Sequence, residues 1–366
     1  MPTAPPQRLL LGPGPSPVSA RVREAMAMPL VGHLDPWFLG VLDEVATNLR
    51  YAFKTSNDLT FAISGTGSAG MEAALVNVLQ PGDEVIIGVC GVFGERMTQI
   101  AGRLGALVVR VEAQWGEAIE TELVLDAIKA HPNARAVGLV HAETSTGVQQ
   151  PIDEIASVIR DDNALLIVDA VASLGGLELH TDQSGIDICY SATQKCLGIP
   201  PGLAPITFSK KAVQVIEDRT NPIGSWYLDA SMIRQYWGTE RVYHHTAPIS
   251  MIYGLAEGLR VLKEEGLEDR WARHLEVGKR LQHELIARGF TLFAAEGYRL
   301  PQLTSMLVPE GFDAKTARSR LLDEFGIEVG GGLGDFSETM LRVGLMGEGA
   351  RHEYVDRLLE ALDRIF

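Results

Sequence analysis

Seven short apolar runs, several of them nearly uninterrupted, recur between Leu59 and Phe208: Leu59–Ile63, Glu84–Val89, Leu107–Val111, Ala136–His141, Leu165–Asp169, Ile186–Tyr190 and Ile206–Phe208. A strand with water on one face alternates apolar and polar residues, whereas a strand covered on both faces has no need to. The stretches between them, among them Gly70–Leu79, Glu122–Ala130 and Ile152–Arg160, carry the helical period instead. Alternation of this kind predicts an α/β fold, a mostly parallel, doubly wound sheet with helices on both faces. Ligands of such sheets sit at the carboxyl ends of the strands.

After Tyr253 the texture changes. Gly254–Arg288 is dominated by long helical periods rich in Glu, Arg and His, and short strand-like runs follow at Phe290–Phe293, Thr304–Leu307, Glu328–Val329 and Met340–Val343, around a helix at Ala314–Phe325. This reads as a smaller α+β domain. At the other end, Pro2, Pro5, Pro6, Pro13, Pro15 and Pro17 exclude a regular helix or central strand, so residues 1–17 read as an arm over the body or over a partner subunit. The expected division is an arm at 1–17, a large ligand-binding domain at 18–255 and a small domain at 256–366, which suits a chain of 366 residues.

Lys and Arg number 32 against 47 Asp and Glu, and the net charge of −15 argues against a nucleic-acid or anionic-membrane partner. Cys90, Cys189 and Cys196 are odd in number and form no CxxC pair, so neither a disulfide framework nor structural zinc is expected, and no HExxH-like spacing points to another metal. The Leu9–Leu11 run is too brief for a signal segment, and no apolar stretch approaches the roughly 20 residues of a membrane span. A soluble, cytoplasmic protein is expected.

Three motifs carry chemistry. Ser64-Gly65-Thr66-Gly67-Ser68-Ala69-Gly70 follows an apolar strand and opens a helix. Its glycines satisfy GxGxxG and admit an NAD(P)-dependent oxidoreductase. Two features oppose that reading: the motif lies 65 residues in, and the next strand does not end in an acid. The more general physics remains, a helix N-terminus whose exposed N–H groups and hydroxyls suit a phosphate. Asp169 closes an apolar strand, where a carboxylate is costly unless it meets a cation or donors, although a turn cap would serve equally. Lys195 stands in an apolar loop after another strand, and desolvation there would lower its pKa and make its amine nucleophilic toward an aldehyde. Together, a phosphate cradle, a strand-end aspartate and an activated lysine are the groups that pyridoxal 5'-phosphate requires.

The chain resembles the class V aminotransferases of fold type I, specifically the alanine–glyoxylate and serine–pyruvate aminotransferases. The likeness runs from Leu10-Leu11-Gly12-Pro13-Gly14-Pro15 through Ser64-Gly65-Thr66-Gly67, Glu72-Ala73-Ala74-Leu75, Glu143-Thr144-Ser145-Thr146-Gly147, Val168-Asp169, Gln194-Lys195 and Tyr243-His244-His245-Thr246 to Leu341-Arg342-Val343-Gly344-Leu345. It implies transamination from alanine or serine to glyoxylate or another small 2-oxo acid, with pyridoxal 5'-phosphate held as an internal aldimine on Lys195. It implies that Lys195 shuttles a proton, that Asp169 pairs with the pyridinium nitrogen, and that Thr66, Gly67, Ser68 and Gln194 hold the phosphate. Phe93 would stack on the ring, with Val171 and Thr144 beside the cofactor, and Arg342, with Thr144, would bind the substrate carboxylate. Tyr243 and Thr246 would reach the cofactor of the neighbouring subunit, making the protein a homodimer. His33 and Trp37 are further candidates to approach the substrate.

Two positions depart from the family pattern: Phe93 stands where close relatives often have Trp, and Ser68 where animal enzymes often have His. Ureidoglycine–glyoxylate and aminoethylphosphonate–pyruvate transaminases are alternatives of the same kind. A cysteine desulfurase is disfavoured, since no cysteine follows Cys196 to act from a C-terminal loop.

Overall fold

The computed structural model describes residues 4–159 and 164–366; residues 1–3 of the arm and Arg160, the last residue of the expected Ile152–Arg160 helix, lie outside the described residues. The apolar runs assemble into a seven-stranded sheet of β1 (Leu59–Ser64), β2 (Glu84–Val89), β3 (Leu107–Glu112), β4 (Ala136–Val140), β5 (Leu165–Asp169), β6 (Ile188–Tyr190) and β7 (Leu203–Phe208). Their spatial order is β1-β7-β6-β5-β4-β2-β3. Every residue of β4 to β7 is buried, which is why these runs show no alternation. Neighbours are parallel except at β7, which runs antiparallel to both β1 and β6.

β7 begins three residues before the Ile206 expected from the sequence and contains Pro205 opposite Ala62. A proline in an inner strand removes a ladder donor. In an antiparallel strand the N–H and C=O of one residue face the same neighbour. The Pro205 carbonyl accepts from Ser191 N–H at 2.8 Å, one residue past the end of β6. The pairing therefore continues past the end of β6 through the proline's carbonyl, and the one bond missing is that which its N–H would have donated.

The helical region after Pro248 is two helices, Ile249–Glu265 and Leu267–Ala287, separated by Gly266 at φ 84°. Only glycine takes such a conformation without strain. A second sheet of β8 (Thr291–Leu292), β9 (Leu303–Leu307), β10 (Gly330–Gly331) and β11 (Met340–Gly344) is antiparallel in the order β8-β9-β11-β10. Buried apolar side chains gather into two main clusters. The larger surrounds the first sheet; the second holds Val277, Leu281, Met306, Leu321, Leu341 and Leu358. Leu255, Leu259, Leu262 and Leu267 belong to the larger cluster, so position 255/256 lies inside a continuous helix that packs on the Ala20–Met26 and Pro36–Phe53 helices.

The arm crosses its own body. Leu9–Leu10 pairs in parallel with Ile327–Glu328, and Leu9 and Leu11 enter the second cluster. Further on, the Leu11 carbonyl accepts from Gly344 N–H at 2.8 Å and Ser16 N–H donates to the Gln194 carbonyl at 2.9 Å. Prolines leave such a segment only short pairings, and these tie it between the lysine loop and β11. Among the described residues no helix is long and apolar enough to cross a membrane, and all three cysteines are free and buried.

Candidate active site

β5 and β6 end side by side, with Asp169 directly opposite Tyr190. Five residues further the chain reaches Lys195, while β1 leads into the Gly67–Val76 helix beside them. Gly67 is needed at this junction, because a Cβ would lie 3.0 Å from Ala192 Cβ and 3.1 Å from Val171 Cγ2. A cleft of about 210 Å³ opens here. It brings together Thr66, Gly67, Ser68, Phe93, Asp169, Val171, Gln194 and Lys195 from the sequence-derived set and adds Met71 and Arg96.

Asp169 is 2% exposed. Burial raises its pKa to about 6, against the opposing pull of two donors, Val171 N–H on Oδ1 and the Tyr190 hydroxyl on Oδ2, each at 2.8 Å. Among the described residues no cation forms an ion pair with it. The Lys195 amine donates to the Pro13 carbonyl, and burial, with the nearby positive charge of Arg342, lowers its pKa to about 8. A carboxylate held partly protonated and an amine held partly neutral therefore face one cleft, the combination that favours acid–base chemistry near neutral pH.

Phe93 is set by a buried anchor. Glu143 accepts the N–H groups of Phe93 at 3.0 Å and Gly94 at 3.3 Å, at the start of the Val92–Arg103 helix, as well as the N–H and hydroxyl of Ser145 at 3.0 and 2.5 Å. The next residue, Thr144, is buried, and its carbonyl accepts from Arg342 Nη1 at 2.9 Å. Arg342 Nε donates to the Gly331 carbonyl at 2.7 Å, and burial lowers its pKa to about 10. Arg342 and Thr144 do not line the cleft with the others, but Arg342 is close enough to act on the charge of Lys195.

Tyr243 and Thr246 do not line the cleft of their own chain; both are exposed, and the Tyr243 ring packs 5.1 Å from that of His33. His33 and Trp37 also stay outside it, Trp37 lying against Tyr253. Sequence reasoning gave no role to Tyr190, Arg96, Glu143 or the Pro13 carbonyl. Each acts through a partner distant in the chain, and only Glu143 carried a signal, its place in the Glu143–Gly147 motif. Gly70 packs on Ala204 and Tyr190, where a Cβ would meet Ala204 at 3.0 Å, so that part of the GxGxxG spacing serves close packing. A wider cleft of about 820 Å³ lies elsewhere; its described lining includes Glu120, Glu122, Asp153, Glu154 and Glu178 but no lysine or arginine, a poor match to acid substrates.

Solved structures share this architecture nearly throughout. An alanine–glyoxylate aminotransferase from Nostoc sp. matches with a TM-score of 0.97 and 46% identity, over 100% of this chain and 97% of that one. A ureidoglycine–glyoxylate aminotransferase from Bacillus subtilis matches with a TM-score of 0.97 and 40% identity, over 99% and 93%. By sequence, the alanine–glyoxylate aminotransferase of Mus musculus is 41% identical over 99% of this chain and 88% of its own. The fold and the lysine-bearing cleft define an aminotransferase of fold type I. The chain belongs to the class V aminotransferases, whose family description, "Aminotransferase class-V", matches residues 33–348. Membership of that family leaves the dinucleotide reading without support.

The cofactor of this family is pyridoxal 5'-phosphate, and the residues present suit it. The cleft offers an amine, a buried carboxylate without a cation, an aromatic wall and a helix N-terminus. The Gln194 side-chain oxygen is buried and without a partner among the described residues, as a group awaiting a ligand would be.

Proposed function

We propose that this chain is a pyridoxal-phosphate-dependent aminotransferase that moves the amino group of alanine or serine to glyoxylate or another small 2-oxo acid. The observation that carries the reading is the convergence of Lys195, with its pKa lowered to about 8, and Asp169, raised to about 6, on one cleft beside Phe93. When bound, the cofactor supplies an aldehyde to hold the amino group and a ring to accept the electrons released at the substrate Cα. Lys195 Nζ would carry the aldehyde and move the proton at that carbon, since an amine near its own pKa gives and takes protons readily. Asp169 would face the ring nitrogen and keep it protonated. Thr66, Gly67, Ser68 and Gln194 would hold the phosphate, Phe93 would cover the ring, and Val171 and Thr144 would flank it.

Arg342 would bind the substrate carboxylate. Two of its nitrogens are committed to the Gly331 and Thr144 carbonyls, which fixes the fork and leaves Nη2 to the substrate. Among the described residues Lys195 and Arg96 are the cations lining the cleft, and Lys195 is taken up as the nucleophile, which supports small substrates over those with a second acid group. Purified protein given L-alanine and glyoxylate should yield pyruvate and glycine. Failure with every small amino donor would overturn the reading. The likeness to the Bacillus subtilis enzyme favours ureidoglycine as the donor to test second.

The protein would work as a homodimer, with Tyr243 and Thr246 reaching the neighbouring cleft; both are exposed and point to no partner cofactor within their own chain. A division into an arm at 1–17, a cofactor domain at 18–255 and a small domain at 256–366 carrying Arg342 fits this scheme. Three free, buried cysteines support a reducing, cytoplasmic setting.

A further inference from the structure

Phe93 and Ser68, which both line the cleft, are touched by one side chain. Arg96 lies one turn beyond Phe93 on the Val92–Arg103 helix, and residues three apart share a face. Its guanidinium carbon sits 4.9 Å from the centre of the Phe93 ring, and Nη1 donates to Ser68 Oγ at 3.3 Å. That bond is long for a guanidinium donor. It is the only hydrogen bond Arg96 makes among the described residues, and no carboxylate there lies within ion-pair distance of it. A guanidinium has five donors in a fixed fork and normally meets carboxylate or phosphate in pairs. Here the fork is held over an aromatic ring and borders the cleft, with most of its donors left over.

The surroundings point to an anion. Ser68 lies in the first turn of the ten-residue Gly67–Val76 helix, whose N–H groups face outward at the cleft. Of the two cations that line the cleft among the described residues, the Lys195 amine is required as a nucleophile and is partly neutral near pH 8, so the permanent positive charge is that of Arg96. Asp169 lines the same cleft, and next to a buried carboxylate a phosphate dianion needs a counter-charge of its own.

We propose that Arg96 is a cofactor-binding residue, its guanidinium taking the phosphate at the Thr66–Ser68 end of the cleft and selecting phosphorylated over unphosphorylated pyridoxal. This rests on the pyridoxal-phosphate reading of the same cleft. Serine and phenylalanine at 68 and 93 leave room and a ring face for that arginine. The phosphate is thereby anchored by a charged fork that rests on the same ring that covers the cofactor.

The test is binding by the cofactor-stripped full-length protein, read by quenching of tryptophan fluorescence, with pyridoxal 5'-phosphate and pyridoxal as separate titrants and inorganic phosphate as a competitor of pyridoxal 5'-phosphate. Arg96→Gln should weaken pyridoxal 5'-phosphate by about 10- to 100-fold, the range of a charge-assisted hydrogen bond, and inorganic phosphate in parallel, while pyridoxal changes less than about twofold. Arg96→Lys should restore part of the loss, because it keeps the charge without the fork. Equal affinity of Arg96→Gln and the parent for pyridoxal 5'-phosphate would overturn the proposal. So would a loss equally large for pyridoxal, or an Arg96→Lys variant no better than Arg96→Gln. A parent protein that fails to bind pyridoxal 5'-phosphate at all would instead remove the cofactor reading beneath it.

Discussion

The Tyr190 hydroxyl donates to Asp169 Oδ2 at 2.8 Å, across the register position where β5 and β6 face one another. The strand ladder therefore delivers the donor and the carboxylate as a pair. Burial pushes Asp169 up to about 6, and the Val171 N–H and the Tyr190 hydroxyl restrain that rise because both bind the ionised form. Tyr190→Phe removes one restraint. The Asp169 pKa should rise by about one to two units, and the acid limb of the kcat/KM profile should move to higher pH with it. An unmoved acid limb in a folded Tyr190→Phe variant would refute the coupling.

The same residue sets a pH dependence of stability in the cofactor-free protein. Its folded pKa of about 6 lies above the ordinary value of 3.8, so between those limits the folded state binds more protons than the unfolded one. Stability must then fall as pH rises from about 4 to about 6, by on the order of 3 kcal/mol from this group alone. Urea unfolding across that window should show the decline. Asp169→Asn should flatten it in part, since buried Glu143 is also raised and contributes with the same sign. A parallel decline in parent and variant would assign the slope to other groups.

Lys195 and Arg342 are linked by charge. The free amine is the reactive form, so trapping of pyridoxal 5'-phosphate on Lys195 with borohydride should be half-maximal near pH 8 in the cofactor-stripped protein. Arg342→Gln removes a positive neighbour and should move that midpoint upward. It should also raise KM for the amino donor by about 10- to 100-fold through the lost carboxylate contact. Peptide mass mapping of the trapped adduct reads the first effect and steady-state kinetics the second. Lys195→Ala should abolish both trapping and turnover.

Glu143 gathers four donors around one buried carboxylate and ties the start of the Val92–Arg103 helix to the loop that receives Arg342. The approach depends on Gly91, where a Cβ would lie 2.5 Å from Glu143 Cγ. Glu143→Ala strands several N–H groups and opens a cavity, and should cost about 3 kcal/mol or more. Glu143→Gln, which keeps the volume and one acceptor oxygen, should cost about half as much. Chemical denaturation of the two variants separates these values, and equal stability of Glu143→Ala and the parent would contradict the role.

The sequence disclosed those parts of the site whose signal is local. Apolar runs marked the buried strands, and a charged residue at the end of such a run marked Asp169 and, by its isolation, Lys195. What it hid depends on pairing between distant segments. β7 extends across Pro205 because the carbonyls of Pro205 and Leu203 still pair with the chain after β6, which no local pattern shows. Tyr190 looked like any apolar strand residue until the register set it against Asp169. Arg96 carries no local signal, since nothing in its own stretch says that Phe93 and Ser68 converge on it. The arm could be placed on no particular partner because its two-residue pairing with Ile327–Glu328 leaves almost no pattern.

The proposed dimer makes a prediction that no single-chain scheme makes. If Tyr243 serves the neighbouring cleft, a Lys195→Ala chain still offers an intact Tyr243, and a Tyr243→Ala chain still offers an intact Lys195. Each alone forms dimers with two impaired sites. Mixed dimers contain one site with both groups intact and one with neither. Unfolding and refolding the two variants together at equal concentration gives mixed dimers in about half of the population, so activity should recover to about a quarter of the parent's per subunit. Tyr243 acting within its own chain would leave the mixture at the average of the two separate variants, because every subunit would still lack one of its groups.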